Sequence, residues 1–211
     1  MHIGIVLYDD VEPIEMGILG TLSMARRLAP ELNYHTLSQT GGPVRLRNGL
    51  TVESDASFDQ ARPVDVLMIT GGPGWQTQAR NPVLLEFLRC RHAQGEVLAS
   101  VCTGALLLAS AGLLSGRQAT TKAAYAPPEI SPLDTLADMA PDCSVRQALL
   151  VDEGDIITGG GVSLCVDLTL YLLERFMGAE LAAGTAEIME YSAARAANQA
   201  RLPRLINTAR A

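Results

Sequence analysis

The chain has 211 residues, of which 48% are hydrophobic and 18% charged, and a formal net charge of −7 at pH 7. That length and apolar fraction suit one domain with an extensive core and exclude a disordered or fibrous chain. The acidic balance repels a phosphate backbone and so argues against nonspecific binding to nucleic acid or to an anionic membrane.

The chain opens MHIGIVLY, which lacks the basic start and small-residue cleavage site of a signal peptide and goes directly into a strand pattern. No apolar run approaches the length of a membrane span, so a cytoplasmic location is expected. Ile3 to Tyr8 reads as a strand, Ile14 to Leu28 as a helix, and Tyr34 to Ser38 as a second strand, followed by a hairpin turning at Asn48 and Gly49. Val64 to Thr70 is an all-apolar strand, and Pro82 to Gln94 a helix opened by Asn81 with proline at its first position. Glu96 to Val101 is a short buried strand running into a buried helix, Ala105 to Leu114. A short strand near Gln118 to Thr121 and a helix start at Ser131 and Pro132 follow. A strand pair from Ser144 to Thr158, reversing at Glu153 to Asp155, then leads into a long helix from about Ser163 to Met177. The tail from about Ala193 to Ala211 carries Arg195, Arg201, Arg204 and Arg210 with no acid, and is expected to be a solvated helix packed on the domain or on a second subunit. Alternation of strands and helices, with near-continuous Val, Ile and Leu in the central strands, predicts an α/β fold. Its sheet would be mostly parallel and covered by helices on both faces.

Cys102 is placed where the strand Glu96–Val101 turns into the next helix. Such a turn aims the side chain out of the carboxyl edge of the sheet, beside helix-start amides that stabilise a thiolate. The other cysteines, at 90, 143 and 165, form no C-x-x-C pair or metal-finger spacing, so all four are expected as free thiols. Ligands of open parallel sheets bind outside the carboxyl ends of the strands. Three segments end there: the one holding Cys102 and Thr103, the run Gly71-Gly72-Pro73-Gly74, and Glu12 to Glu15. Glycines at 71 and 72 let backbone amides approach a ligand closely, as an oxyanion loop requires, although the same run also makes a plain tight turn. No histidine follows Cys102; the three present, at 2, 35 and 92, read as surface or structural groups. Glu15, among Ile14, Met16, Ile18 and Leu19, is then the candidate proton partner, since a desolvated carboxyl has a raised pKa, although a carboxylate placed simply to favour the helix N-terminus is an equal account of it.

Five stretches carry a family resemblance: GIVLY from Gly4, DVLMITGGP from Asp65, SVCTGA from Ser100, AGLLSGRQATT from Ala111, and TGGGVS from Thr158. Over nearly its whole length the chain resembles the ThiJ/PfpI superfamily, within the branch that holds isonitrile hydratases and the amidotransferase-like domains of AraC-type regulators. The resemblance implies a single domain with a flavodoxin-like three-layer sandwich and an elbow cysteine. It implies Cys102 as nucleophile, Glu15 as the acid contacting it, the amides of Gly72 and Thr103 beside Gly71 as oxyanion donors, no cofactor or metal, and a homodimer. The sequence departs from the branch in two places. The acid is glutamate where isonitrile hydratases resemble one another in aspartate, and Lys122-Ala123 stands where the branch usually reads His-Trp. Lys122 is a candidate substrate-binding cation, with a solvated surface lysine as the plainer account.

Other family readings lack their residues. Protease-like members carry histidine directly after the cysteine, where this chain has Thr103. Glutamine amidotransferases need a late histidine, and AraC-type regulators add a DNA-binding domain that this sequence does not contain. The expected function is a cysteine-dependent hydratase of small molecules resembling isonitrile hydratase. A glyoxalase-like enzyme acting on 2-oxoaldehydes and a noncatalytic thiol redox sensor or ligand-binding protein are the alternatives.

Overall fold

A computed structural model describes residues 1–207 and 209. In chain order its elements begin with β1 (His2–Val6), one turn of 3-10 helix (Pro13–Met16) and α1 (Gly17–Ala25), followed by β2 (Asn33–Ser38), β3 (Gly42–Arg45), β4 (Thr51–Ser54) and β5 (Ala56–Ser57). They continue with β6 (Val66–Ile69), α2 (Trp75–Gln78), α3 (Pro82–Ala93), β7 (Val97–Ser100), α4 (Gly104–Ser110), β8 (Gln118–Ala119), α5 (Pro132–Met139) and β9 (Ser144–Val145). The last are β10 (Leu150–Asp152), β11 (Ile156–Gly159), α6 (Leu164–Met177), α7 (Ala179–Ile188), α8 (Ser192–Arg201) and β12 (Arg204–Ile206).

An eight-stranded sheet with the order β12-β10-β11-β7-β6-β1-β2-β5 runs through the domain, parallel except where β10 meets β11. Its central strands are mostly apolar because helices cover both faces: α1, α6 and α7 pack together on one side, and α2, α3 and α5 group around α4 on the other. Local chemistry sets several boundaries. The Asn81 side chain accepts a hydrogen bond from the Val83 amide and Ser131 Oγ accepts one from the Asp134 amide, each ahead of a proline at the first helical position. The chain moves outward from β1 in both directions, to β2 on one side and β6 on the other, so the sheet's topological switch point lies between β1 and β6.

The structure corrects the sequence reading at several elements: α4 ends at Ser110 where Leu114 was expected, and β9 pairs with β8 rather than within the expected Ser144–Thr158 pair. The helix expected from Ile14 to Leu28 is a 3-10 turn followed by α1, and it stops at Ala25. Helix α7 is an element that the sequence pattern does not announce. The tail is not a helix alone: after α8 the chain forms β12, which adds in parallel to β10 at the sheet edge. Arg195 and Arg204 both bond Glu174 of α6, at 2.6 and 2.9 Å, which packs the tail on the domain, one of the two placements expected for it. Arg210 lies outside the described residues. Among the described residues, no helix is long and apolar enough to cross a membrane.

Candidate active site

The loops after β1, β6 and β7 converge at the carboxyl edge beside the switch point. The chain turns from β7 into α4 through Cys102, whose φ of 52° lies in the left-handed region that non-glycine residues occupy at a cost of roughly 1–2 kcal/mol. Several contacts hold the turn. The Cys102 amide donates to Gly160 O at 3.1 Å and Thr121 Oγ1 donates to Cys102 O at 2.6 Å. Two glycines make room for it. A Cβ on Gly71 would lie 2.6 Å from Cys102 Cβ and 2.7 Å from the Thr103 nitrogen, and one on Gly104 would lie 2.5 Å from Ile69 O. Gly72, at φ 144°, is pressed against the first loop, where a Cβ would lie 2.4 Å from both Asp10 O and the Glu12 nitrogen. The Glu12 amide donates to Gly71 O at 3.0 Å, locking the loops after β1 and β6 together.

Glu15 lies in the 3-10 turn and is fully buried, and neither of its carboxyl oxygens has a partner within hydrogen-bonding geometry. Burial raises its pKa from 4.5 to about 8, and the charge of Glu12 adds to the rise. The Gly71 amide and the Cys102 side chain face the carboxyl and offset only part of the shift. Cys102 is 3% exposed. Its thiol is pushed up to about 12 by burial and then by the Glu15 charge, against the amides of Val162 and Thr103 and the charge of Lys122. The helix-start environment was expected to stabilise a thiolate. The amides are there, but removal from water outweighs them, so the resting thiol keeps its proton. Two further groups share this interior. The fully buried Cys165 thiol donates to Ile14 O at 3.6 Å and is raised by burial, Glu15 and Cys102 in turn. The Tyr8 phenol, raised chiefly by burial and then by Glu15 and Cys102, donates to Thr70 O at 2.8 Å.

The structure brings Cys102, Glu15, Gly71, Thr103 and Lys122 to one site, and it changes the role expected of Gly72 and of Lys122. The Gly72 amide, expected as an oxyanion donor, donates to Thr103 Oγ1 at 2.8 Å, and that hydroxyl donates back to Gly72 O at 3.2 Å. The amide that joins Thr103's beside the sulfur is that of Val162, whose φ of 60° turns it toward the thiol. Lys122 is not solvated: its side chain is 19% exposed and pairs with Glu129. A cavity of about 510 Å³ opens over Cys102 and is lined also by Lys122, Glu129, Arg47, Glu12, Trp75 and Val162. Sequence reasoning missed Val162, Glu129, Arg47 and Trp75. Only Val162 had a signal, as the residue after three glycines at a strand-to-helix turn. The histidines lie elsewhere: His2 and His35 contact each other at 2.8 Å on β1 and β2, and His92 bonds Asp155 at 2.8 Å. Among the described residues, no group of three or more His, Cys, Asp and Glu side chains could hold a metal ion.

A protein-family model for the DJ-1/PfpI family matches residues 1–175. Isonitrile hydratase from Pseudomonas putida is 30% identical over 196 residues, 92% of this chain and 80% of the relative. The HTH-type transcriptional regulator CdhR from Pseudomonas aeruginosa is 34% identical over 79% of this chain, which spans 47% of that regulator's length. Among solved structures, a ThiJ/PfpI family protein from Pseudomonas syringae superposes with a TM-score of 0.76 at 25% identity, covering 90% of this chain and 75% of that one. DJ-1beta from Drosophila melanogaster superposes with the same TM-score at 19% identity, over 90% of this chain and 98% of its own. By the extent of these matches, and by the fold that accompanies them, this chain belongs to the DJ-1/PfpI family.

Proposed function

We propose that the protein is a cysteine-dependent hydratase that converts isonitriles to N-substituted formamides. One observation carries the reading: a fully buried, protonated carboxyl, faced by the Gly71 amide and the Cys102 side chain, lies against that buried thiol at the floor of an open cavity. Neither group is ionised at rest, so a route through separated charges would be costly here. A carboxylic acid avoids that cost, since one oxygen can take a proton while the other gives one.

In this scheme the Cys102 sulfur attacks the terminal isonitrile carbon, its proton passes to one Glu15 oxygen, and the other Glu15 oxygen protonates the same carbon. The product is a thioformimidate, Cys102–S–CH=N–R. Water then adds across the C=N bond with Glu15 again relaying the proton, and the tetrahedral adduct collapses to the formamide, H–CO–NH–R, as the sulfur leaves and regains its proton. The amides of Thr103 and Val162 stabilise charge that develops on the sulfur. The likeness to isonitrile hydratase over most of both chains supports the choice of substrate class.

The test is turnover of a simple alkyl isonitrile by the purified protein, followed by the formyl proton of the product in NMR. Wild-type turnover that is lost in Cys102→Ala supports the reading; full turnover by Cys102→Ala overturns it. The likeness to the regulator CdhR supports a second reading, a noncatalytic domain that binds a small ligand over Cys102. Saturable binding of an isonitrile without any formamide would favour it, and lactate formed from methylglyoxal would favour a glyoxalase-like reaction instead.

A further inference from the structure

Lys122 begins a segment whose residues 124–130 are exposed and which runs past the mouth of the cavity above Cys102. The lysine itself is seated. Its stem lies against Gly161, where a Cβ would come within 2.5 Å of Lys122 Cγ and 2.6 Å of Lys122 Cβ, so only glycine leaves the slot open. At the other end, Lys122 Nζ donates to both oxygens of Glu129, at 2.6 and 2.5 Å. The cation is thus fixed to the floor of the site, while the anion arrives from the exposed segment with its side chain 36% exposed. Arg47 lines the same cavity with its side chain 59% exposed, and its acidic neighbour Asp10 is 3.7 Å away. The cavity therefore holds one fixed ammonium and one accessible guanidinium, against the carboxylates of Glu12 and Glu129. A bidentate carboxylate on a largely desolvated ammonium is the arrangement a carboxylate ligand would make, and here a side chain of the protein supplies it.

We propose that Lys122 is the recognition cation for substrates carrying a carboxylate, and that Glu129 is an internal occupant which the substrate's carboxylate displaces. The substrate class is then an isonitrile bearing a carboxyl group. The naming of the reacting function rests on the hydratase reading above, whereas the anion site does not, because binding is measurable without turnover. Displacing Glu129 frees the exposed segment to move and leaves Arg47 as a second cation on the wall of the cavity.

Trp75 lines this cavity and is the sole tryptophan in the sequence, so intrinsic fluorescence reports its occupancy directly. Benzoate and its neutral counterpart benzamide are the probes, titrated into the full chain and into Lys122→Met, Lys122→Arg and Glu129→Gln, each first shown by circular dichroism to be folded. The expected result is saturable benzoate binding about tenfold tighter than benzamide, the scale of one charge-assisted contact. Lys122→Met should abolish that preference, Lys122→Arg keep most of it, and Glu129→Gln tighten benzoate by removing its competitor. Equal affinity for the two probes, absence of benzoate binding, or benzoate binding indifferent to Lys122→Met overturns the proposal, as does weaker benzoate binding in Glu129→Gln. If benzoate binds as expected but no isonitrile is turned over, the anion site stands and the hydratase reading falls. If neutral isonitriles are turned over without any benzoate preference, the hydratase reading stands and the anion site falls.

Discussion

Glu15 and Cys102 face each other in the protein interior, each with its pKa raised by burial, to about 8 and about 12, and the Glu15 charge raises the thiol further. At neutral pH the site therefore stores two protons and no net charge. In the proposed hydratase scheme Glu15 acts as a bifunctional acid, which works only while it is protonated. Turnover should be level below about pH 8 and fall about tenfold per unit above it as Glu15 ionises. Glu15→Gln should lower kcat by ~10²–10⁴-fold, since an amide N–H is too weak an acid to give up its proton. A pH profile that rises through 8 would mean that the carboxylate acts as a simple base.

The same group makes stability depend on pH. Because folding raises the Glu15 pKa, the folded chain binds this proton more tightly than the unfolded chain does. Its ionisation costs nothing below the ordinary value of 4.5, removes stability progressively as pH rises from there to about 8, and adds no further loss above that. Across that window the loss is as much as ~5 kcal/mol. Glu15→Gln, close to isosteric and never charged, should lack this slope and melt higher than the wild type at pH 9, by roughly 10 °C, while the two melt close together at pH 4.5. Thermal unfolding followed by circular dichroism at both pH values measures the difference.

Gly71 packs tightly against the turn that carries Cys102. In Gly71→Ala the methyl group would meet Cys102 Cβ at 2.6 Å and the Thr103 nitrogen at 2.7 Å, and neither is the end of a flexible side chain. The turn must shift, which costs about 1–3 kcal/mol in overpacking. A displacement near 1 Å at the sulfur lowers turnover ~10²-fold. Steady-state kinetics should show the loss mainly in kcat, with the chain still folded.

The sequence made the central architecture legible because the inner strands are buried on both faces and read as near-continuous apolar runs. It also made Cys102 and Glu15 legible, the first by its place between a strand and a helix and the second as an acid among apolar neighbours. The edges were harder to read. β12 is a three-residue run opening with arginine, and it becomes a strand only because β10 presents an unpaired edge to it. The thiol's charge state was not legible, because helix-start amides can be inferred from chain position whereas 3% exposure cannot. Lys122 and Glu129 lie seven residues apart in an irregular segment with no period to bring them into register, so their pairing had no signature in the sequence.

The buried Asp152 shows how the tail is tied to the sheet. It is fully buried, accepts from Tyr171 Oη at 2.6 Å and from the Gly154 amide at 2.7 Å, and pairs with Arg175 Nη1 at 2.7 Å, while its carbonyl accepts from the Asn207 amide at 2.8 Å beside β12. Arg175→Met would keep much of the stem's packing but strand a buried carboxylate, at a cost of about 3–5 kcal/mol. Asp152→Asn with Arg175→Met should recover a good part of that loss, because no uncompensated charge remains. Denaturant melts of the two single variants and the double variant measure the coupling.

Val162 carries the clearest conflict between stability and the site. A β-branched residue at φ 60° is strained, and the strain sets the orientation of an amide toward the Cys102 sulfur. Glycine adopts this conformation freely, so Val162→Gly removes the strain but loosens the backbone that aims the amide. The relief exceeds the added entropy of the unfolded chain, giving an expected net gain of ~0.5–1 kcal/mol in stability. Turnover should nonetheless fall by roughly tenfold or more, as for other lost or misaligned donors to developing charge. Denaturant melts and kinetics on the same preparation decide the matter: a variant that loses stability and keeps full turnover would show that the left-handed turn is a packing solution with no part in the chemistry.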